Sequence, residues 1–254
     1  MEKIKAIREK LNSMADTIRE TVRTVDDMAE ALEGIANEIA DHCAASQKEP
    51  LEGFAAVREQ LRAGISPAPG QIITTRLTDG IVAKWRVIDT KTMARRADTC
   101  PIVVQLAEIL DYRPFSTPDK AHPWGWNNYE ASSLANWLDD VFFKRLNDDD
   151  QACILRRYDT GGDPLGGCAM WLLSDEEVGF GDLERAFDWY ACEDEDERAQ
   201  RRQLRDSDGD AAHWWLRTPN AGYATVVRIV TTSGALNYYH ANGANGVAPA
   251  CIIG

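Results

Sequence analysis

A seven-residue repeat of apolar side chains near the amino terminus restricts the fold of this chain more than any other feature. One core position of the repeat holds Ile4, Leu11, Ile18, Val25, Leu32 and Ile39. The other core position holds Ile7, Met14, Thr21, Met28, Ile35 and His42. Charged residues fill most of the other positions, and this pattern is typical of a coiled coil. We therefore predict that residues 1–45 form a coiled-coil oligomerisation helix.

The identity of the core residues bears on the number of helices. β-Branched residues dominate the first core position and leucine is absent from the second, which favours three chains over two. We expect self-association through residues 1–45, as a trimer. The alternative is a helical hairpin that folds back on its own domain, since Gly34 weakens the helix by about 1 kcal/mol.

A segment rich in proline and glycine marks a domain boundary. Residues 64–70 read Gly-Ile-Ser-Pro-Ala-Pro-Gly, a composition that favours turns. We predict a linker over residues 46–70, although it contains an amphipathic stretch with Leu51, Phe54, Val57 and Leu61. The remaining residues, 71–254, form the predicted second domain.

This second domain has the short, mixed patterns of an α+β fold. Thr78-Asp79-Gly80 predicts a tight turn between strands 72–77 and 81–88. Residues 130–138 predict a helix, and Ser174 with Glu177 matches a capping box. Residues 211–254 are rich in strand-forming side chains.

Composition excludes several classes of function. Of the 254 residues, 28 are Lys or Arg and 41 are Asp or Glu, giving a net charge of −13. This charge argues against a nucleic-acid partner. No long apolar run or amino-terminal leader is visible, so we expect no membrane partner and synthesis in the cytoplasm. The six cysteines form no Cys-x-x-Cys pair and are expected to be reduced.

The last forty residues have the composition of a contact surface. Trp214 and Trp215, beside Arg217, predict a rigid structural platform, and Arg217 is expected to pair with a carboxylate. Tyrosine gives contact area at low entropic cost, and asparagine gives adaptable hydrogen bonds. The predicted ligand-binding residues are Asn220, Gly222, Tyr223, Asn237, Tyr238, Tyr239, His240, Asn242 and Asn245.

The order of short motifs resembles a domain-of-unknown-function family of gut bacteria and their phages. The matching segments are Trp85-Arg86-Val87-Ile88, Trp126 to Phe142, Trp171-Leu172-Leu173-Ser174 with Glu177, Trp214 to Pro219, Gly234, and Gly246-Val247 with Pro249-Ala250. Thr218 stands where the family pattern has serine, and Ala248 stands where it has arginine. The resemblance covers residues 71–254.

This resemblance implies a C-type-lectin-like fold, in the variant shared with formylglycine-generating enzymes. It also implies a variable protein of a diversity-generating retroelement, in which carboxyl-terminal residues are diversified. We therefore expect a non-enzymatic ligand-binding protein that contacts a protein or glycan on a bacterial surface. The implied role is phage receptor binding, and the implied location is the tail of the virion. The alternatives are a cytosolic protein-interaction module and an uncharacterised enzyme on the formylglycine-generating type of scaffold.

Signatures of catalysis and of bound metal are missing from the sequence. No Gly-x-Ser-x-Gly, His-Glu-x-x-His, phosphate-binding loop or dinucleotide-binding pattern is present. Asp206, Asp208 and Asp210 carry oxygen ligands, but the later glutamate of a calcium loop is absent. We predict no catalytic residues, no metal site and no cofactor.

Overall fold

The computed structural model describes residues 1, 10–11, 14, 17–25, 28–29, 31–34, 51–91, 101–157 and 167–254. By its internal contacts the chain divides into two units, Met1–Glu49 and Pro50–Gly254.

The first unit is helical at its described positions between 10 and 34. Its helix exposes the apolar side chains of the seven-residue repeat, which are Leu11, Met14, Ile18, Val25, Met28 and Leu32, each between 58% and 65% accessible. The hydroxyl of Thr21, another core position, donates to the carbonyl of Thr17 at 2.9 Å. The predicted core residues Ile4, Ile7, Ile35, Ile39 and His42 lie outside the described residues.

The second unit contains the following elements. Its described strands are β1 (Leu51–Glu52), β2 (Ile72–Arg76), β3 (Val82–Asp89), β4 (Ile102–Leu106), β5 (Tyr112–Pro114), β6 (Ile154–Leu155), β7 (Leu204–Arg205), β8 (Ala211–Ala212), β9 (Trp214–Pro219), β10 (Val226–Val230), β11 (Leu236–His240), β12 (Ala244–Gly246) and β13 (Ala250–Ile253). Its α-helices are α1 (Phe54–Arg62), α2 (Ser133–Trp137), α3 (Asp148–Gln151) and α4 (Glu195–Arg202). Single π or 3₁₀ turns cover Leu138–Phe142, Phe143–Arg145, Leu183–Arg185 and Asp188–Tyr190. Within the described residues, no helix combines the length and apolar character needed to span a bilayer.

Two main sheets form this unit. The first has the order β1-β2-β3-β4-β13-β6, and the second has the order β11-β10-β9-β12-β5. Most neighbours are antiparallel, while β1 runs parallel to β2 and β12 runs parallel to β9. The described part of the chain is therefore a mixed α/β fold with several sheets and short helices.

Residues 51–62 differ from the predicted linker. They form β1 and α1, and α1 buries Phe54, Val57 and Leu61. The backbone N–H of Phe54 donates to Oδ1 of Asp150 at 2.6 Å, which holds the start of the helix. The amphipathic spacing of this segment agrees with its place in the core, and residues 63–70 lie outside regular structure. Residues 46–50 of the predicted linker lie outside the described residues.

Predictions of secondary structure are confirmed where interactions between residues close in sequence determine the local conformation. β2 and β3 pair around the Asp79-Gly80 turn, with Gly80 at a φ of 89° that favours glycine. Ser132 caps α2 by accepting a hydrogen bond from the N–H of Ala135 at 3.0 Å. The capping-box bonds between Ser174 and Glu177 also form, but they close a turn and no helix follows.

Two buried apolar clusters make up the core of this unit. One includes Trp85, Phe115 and Trp215, and the other includes Trp171 and Trp214. Successive side chains of a strand point to opposite faces of its sheet. The adjacent indoles of Trp214 and Trp215 consequently enter different clusters and fix β9 from both sides.

Candidate binding surface

The edge strand β11 exposes four consecutive side chains, those of Asn237, Tyr238, Tyr239 and His240. It pairs with β10 and ends the second sheet. Because neighbouring side chains of a strand point to opposite faces, exposure of consecutive residues means that both faces of β11 are uncovered.

Two further exposed aromatic residues accompany the strand. Trp124, Tyr223, Tyr238 and Tyr239 are each between 49% and 66% accessible. The ring of Trp124 lies 6.5 Å from the imidazole of His240. We call these four residues together with His240 the aromatic surface.

Close backbone packing fixes the loop that carries Trp124. A Cβ atom on Gly125 would lie 2.7 Å from the carbonyl oxygen of Ser116 and 3.1 Å from Cβ of Ala241. The loop therefore approaches the end of β11 more closely than a larger residue permits.

A second contact holds the turn that carries Tyr223. Nδ2 of Asn127 donates to the carbonyl of Tyr223 at 2.9 Å. The backbone N–H of Asn127 donates to the carbonyl of Ala224 at 2.9 Å. The loop of Trp124 and the turn of Tyr223 are thus connected through one asparagine.

Some backbone groups on the free edge of β11 form hydrogen bonds with residues close in sequence. The backbone N–H of Tyr238 donates to Oδ1 of Asn237 at 2.9 Å. The carbonyl of His240 accepts from the N–H of Gly243 at 2.9 Å. Such local bonds oppose the addition of another strand at an edge. The side chains of this surface are therefore better placed than its backbone to contact a partner.

Buried tryptophans lie behind this surface. Trp214 and Trp215 have no accessible surface, and their indole N–H groups donate to the carbonyls of Arg202 and Arg113 at 3.0 and 2.8 Å. The ring of Tyr239 packs edge-on against Trp215 at 6.4 Å. The exposed tyrosine is thereby in direct contact with the core.

Arg217, the third predicted platform residue, is buried against a carboxylate. Its guanidinium donates to both carboxylate oxygens of Glu177, which also accepts from Arg157 at 2.8 Å and from the N–H of Ser174 at 3.0 Å. Burial alone would raise the pKa of Glu177, but the charges of Arg217 and Arg157 outweigh it and lower that pKa to about 2. This ion pair joins β9 to the capping-box turn.

The other predicted ligand-binding residues have different environments. Gly222 is exposed in the turn before β10, and Asn220 and Asn242 are partly buried. Asn245 is buried in β12, which has β9 on one side and β5 on the other. Asn245 therefore does not belong to the exposed surface, because its strand lies in the interior of the sheet.

A cleft of about 980 Å³ adjoins this surface. Its lining comes from segments distant in sequence, including Trp126, Arg157, Glu177, Phe180 and Arg217. Asn127, which holds the turn of Tyr223, also lines the cleft. The cleft and the aromatic surface are thus neighbours.

The acidic loop considered for calcium is organised by internal hydrogen bonds. Oδ1 of Asp206 accepts from the backbone N–H groups of Asp208 and Asp210 at 3.1 and 3.0 Å. Oδ2 of Asp206 accepts from the hydroxyl of Tyr112 at 3.0 Å. Across the described ranges, no group of three or more His, Cys, Asp or Glu residues is placed to hold a metal ion.

Two cysteines lie in environments that favour the thiol form. Burial raises the pKa of Cys168 to about 12, and burial also raises the pKa of Cys251. The thiolate, which is the reactive form of cysteine, is consequently scarce at neutral pH at both positions.

The sequence does not identify Trp124 as a surface residue. Other tryptophans of this chain, such as Trp85, Trp171 and Trp214, are buried. Nothing in the local sequence distinguishes an exposed indole from a buried one, since its position depends on the packing of Gly125 against Ser116 and Ala241.

Fold and surface together define a mixed α/β domain in which an exposed aromatic edge strand, β11, and a buried tryptophan strand, β9, lie on either side of β10. The chain belongs to the family described as Domain of unknown function (DUF6273), whose model matches residues 106–254. The matched region contains β5 to β13 and every residue of the aromatic surface. No curated protein and no solved structure matches the chain.

Proposed function

We propose that this protein is a non-enzymatic ligand-binding protein that contacts a macromolecule through its aromatic surface. The observation that carries the proposal is the exposure of four consecutive side chains on β11 beside Trp124 and Tyr223. Large exposed aromatic groups are costly in a protein without a partner, and contiguous patches of them mark interaction sites. Tryptophan and tyrosine are also the residues that most often dominate binding energy.

The charge of this region favours an uncharged or acidic partner surface. Residues 211–254 contain no aspartate or glutamate, although the chain as a whole carries a net charge of −13. A partner that docks on β11 thus meets aromatic rings, amides and one imidazole from this segment. We assign the partner to a protein or glycan on a bacterial surface.

The finer identity is that of a variable protein with a C-type-lectin-like fold, serving a phage as a receptor-binding protein. The motif resemblance supports it, and so does the exposure of Tyr223 and residues 238–240, which the fold does not require for its core. The exposed side chains of Asn237, Tyr238 and His240 can vary because they fill no space inside the protein.

Self-association through residues 1–45 is the second part of the proposal. The exposed aliphatic stripe of the first unit has the spacing of a coiled-coil seam, and a trimer would bury it. Several copies of a weak binding surface on one particle gain affinity through effective concentration.

Two matched libraries of the full chain, displayed on yeast, test whether the aromatic surface tolerates substitution. One library randomises Tyr223, Tyr238, Tyr239 and His240, and the other randomises Trp214, Trp215, Leu216 and Arg217. We expect most clones of the first library and few of the second to resist protease. The first should also yield binders to arbitrary target proteins. Equal loss of resistance in both libraries, or no binders from the first, would contradict the proposal.

Genome sequence tests the proposed diversification. A near-copy of the segment that encodes residues 210–254 should lie beside the gene, with differences concentrated at the codons of exposed residues. Differences concentrated at the codons of buried residues would exclude this origin.

Light scattering tests the assembly role. The double substitution Ile18→Asp with Val25→Asp places charges in the aliphatic stripe and should convert the oligomer to a monomer. Glu20→Gln, on the same helix, should leave the mass unchanged. A monomeric wild-type chain, or an oligomer that survives the double substitution, would rule out association through this helix.

A further inference from the structure

The cleft beside the aromatic surface contains an arginine with hydrogen-bonding capacity to spare. Arg157 lines the cleft, and its side chain is largely but not fully buried, at 19% accessible. Among the described residues its guanidinium makes one hydrogen bond, from Nη1 to Oε1 of Glu177 at 2.8 Å. A guanidinium has five N–H donors, so several of those on Arg157 remain available to a molecule in the cleft.

The orientation of Arg157 is fixed in advance. Its guanidinium carbon lies 4.7 Å from the ring centre of Trp171, and its backbone N–H donates to the carbonyl of Cys168 at 2.9 Å. The contact with the Trp171 ring and the bond to Glu177 together limit the rotation of the guanidinium. A planar fork held in this way matches the two oxygens of a carboxylate.

The other charged residues of the lining favour a ligand with one negative charge over a ligand with two. Asp175 and Glu176 also line the cleft, and they pair with Arg228 at 3.4 Å and with Arg185 at 3.0 Å. Glu130 adds a further carboxylate to the lining. Repulsion from these carboxylates is greater for a dianion such as phosphate than for a monoanion, which favours a carboxylate over phosphate.

The walls of the cleft suit an organic body attached to that carboxylate. Trp126, Tyr129 and Phe180 line it with aromatic surface, and its volume of about 980 Å³ is sufficient for a small molecule or a peptide terminus. We propose that this cleft is a binding site for an organic carboxylate, with Arg157 as the residue that receives the acid group. The site does not depend on the function proposed for the aromatic surface.

Calorimetric titration of the full chain with phenylacetate tests this site, at constant pH and ionic strength. The matched control ligand is phenylacetamide, which has the same ring and shape but no charge. We expect saturable binding of phenylacetate, and binding of the amide at least about tenfold weaker because a charged bidentate bond is lost. Equal affinity for the two ligands, or no binding of phenylacetate, would overturn the proposal. This test needs no protein variant.

Substitutions locate the site. Arg157→Gln should weaken phenylacetate binding at least about tenfold. Arg62→Gln should leave binding unchanged, because that arginine is exposed on α1 and does not line the cleft. Tyr238→Ala should also leave binding unchanged, which separates this site from the aromatic surface. Full binding by a folded Arg157→Gln variant would refute the assignment.

Two sources of the carboxylate are distinguished by a peptide pair. A tripeptide ending in phenylalanine is compared with its carboxyl-terminal amide. Tighter binding of the free peptide than of phenylacetate identifies a protein carboxyl terminus as the ligand, and the reverse order identifies a small organic acid. Binding of the amidated peptide as tight as that of the free peptide would count against carboxylate recognition.

Discussion

Strands β9 and β11 belong to the same sheet, separated by β10, and both are rich in aromatic residues. Trp214 to Arg217 of β9 are buried, and the polar groups of its two tryptophans and its arginine have partners. Tyr238 and Tyr239 of β11 are exposed. Aromatic side chains thus serve opposite purposes in the two strands: stability in β9, and an accessible surface in β11.

The difference follows from position in the sheet. β9 has β10 and β12 as neighbours and an apolar cluster on each face, whereas β11 has one neighbour. Substitutions in β9 should therefore cost much more stability than substitutions at the exposed positions of β11.

The largest effect is expected at Arg217. Arg217→Met removes one partner of a buried ion pair and leaves Glu177 with less compensation for its burial. The free energy of unfolding should fall by about 3–5 kcal/mol in urea denaturation. Arg228→Met, which removes the partner of Asp175 in a more exposed pair on β10, should cost no more than about 1 kcal/mol. Similar losses in the two variants would contradict the structural role of Arg217.

The pH dependence of stability provides the second test. The pKa of Glu177 is about 2 in the folded chain, below its ordinary value of 4.5. A depressed carboxyl pKa contributes stability that is present above pH 4.5 and is lost as the pH falls toward 2. The contribution is on the order of 3 kcal/mol. In Glu177→Gln, the unfolding free energy should lack this part of the decline. If the variant loses stability at low pH as steeply as the wild-type chain does, Glu177 is not the group responsible.

A smaller effect is expected at the tyrosines of β11. Tyr239→Ala loses an edge-on contact with Trp215, which is worth about 0.5–1.5 kcal/mol. Tyr238→Ala, on the opposite face of the strand, should change the unfolding free energy by less than about 0.5 kcal/mol. Thermal denaturation of the two variants measures the difference. A loss of several kcal/mol at Tyr238 would show that this residue belongs to the core.

The smallest effect on stability is expected at Asn237. Asn237→Ala removes the oxygen that accepts from the N–H of Tyr238 and leaves an edge donor free. Stability should change by no more than about 0.5 kcal/mol, but association at high concentration should increase because the edge is less protected. Static light scattering over a concentration series, with Asn242→Ala as control, measures this. No increase would show that the bond does not protect the strand.

Local sequence signals predicted the elements that depend on near neighbours. The Asp79-Gly80 turn, the cap at Ser132 and the bonds between Ser174 and Glu177 all join residues that are close in the chain. The capping box shows the limit of such signals. Its hydrogen bonds form as predicted, but Glu177 also binds Arg217, forty positions away, and the turn does not continue as a helix.

Long-range packing decided the features that the sequence did not reveal. Residues 51–62 were predicted as part of a linker, but the pocket that receives Phe54 is built by distant strands, as its contact with Trp85 shows. Asparagine is a residue type typical of contact surfaces, yet the strand that carries Asn245 lies between β5 and β9. The cleft around Arg157 likewise draws its lining from several segments.

By itself, the sequence determined a helical amino-terminal segment with an aliphatic stripe, a strand-rich carboxyl terminus, and the motif order of the family. Each of these depends on the spacing of residues along the chain. Tertiary structure alone decided which aromatic residues are accessible and which polar residues meet at the cleft. Accessibility depends on the number of neighbouring strands, and the pairing order of strands arises from contacts between residues far apart in the sequence.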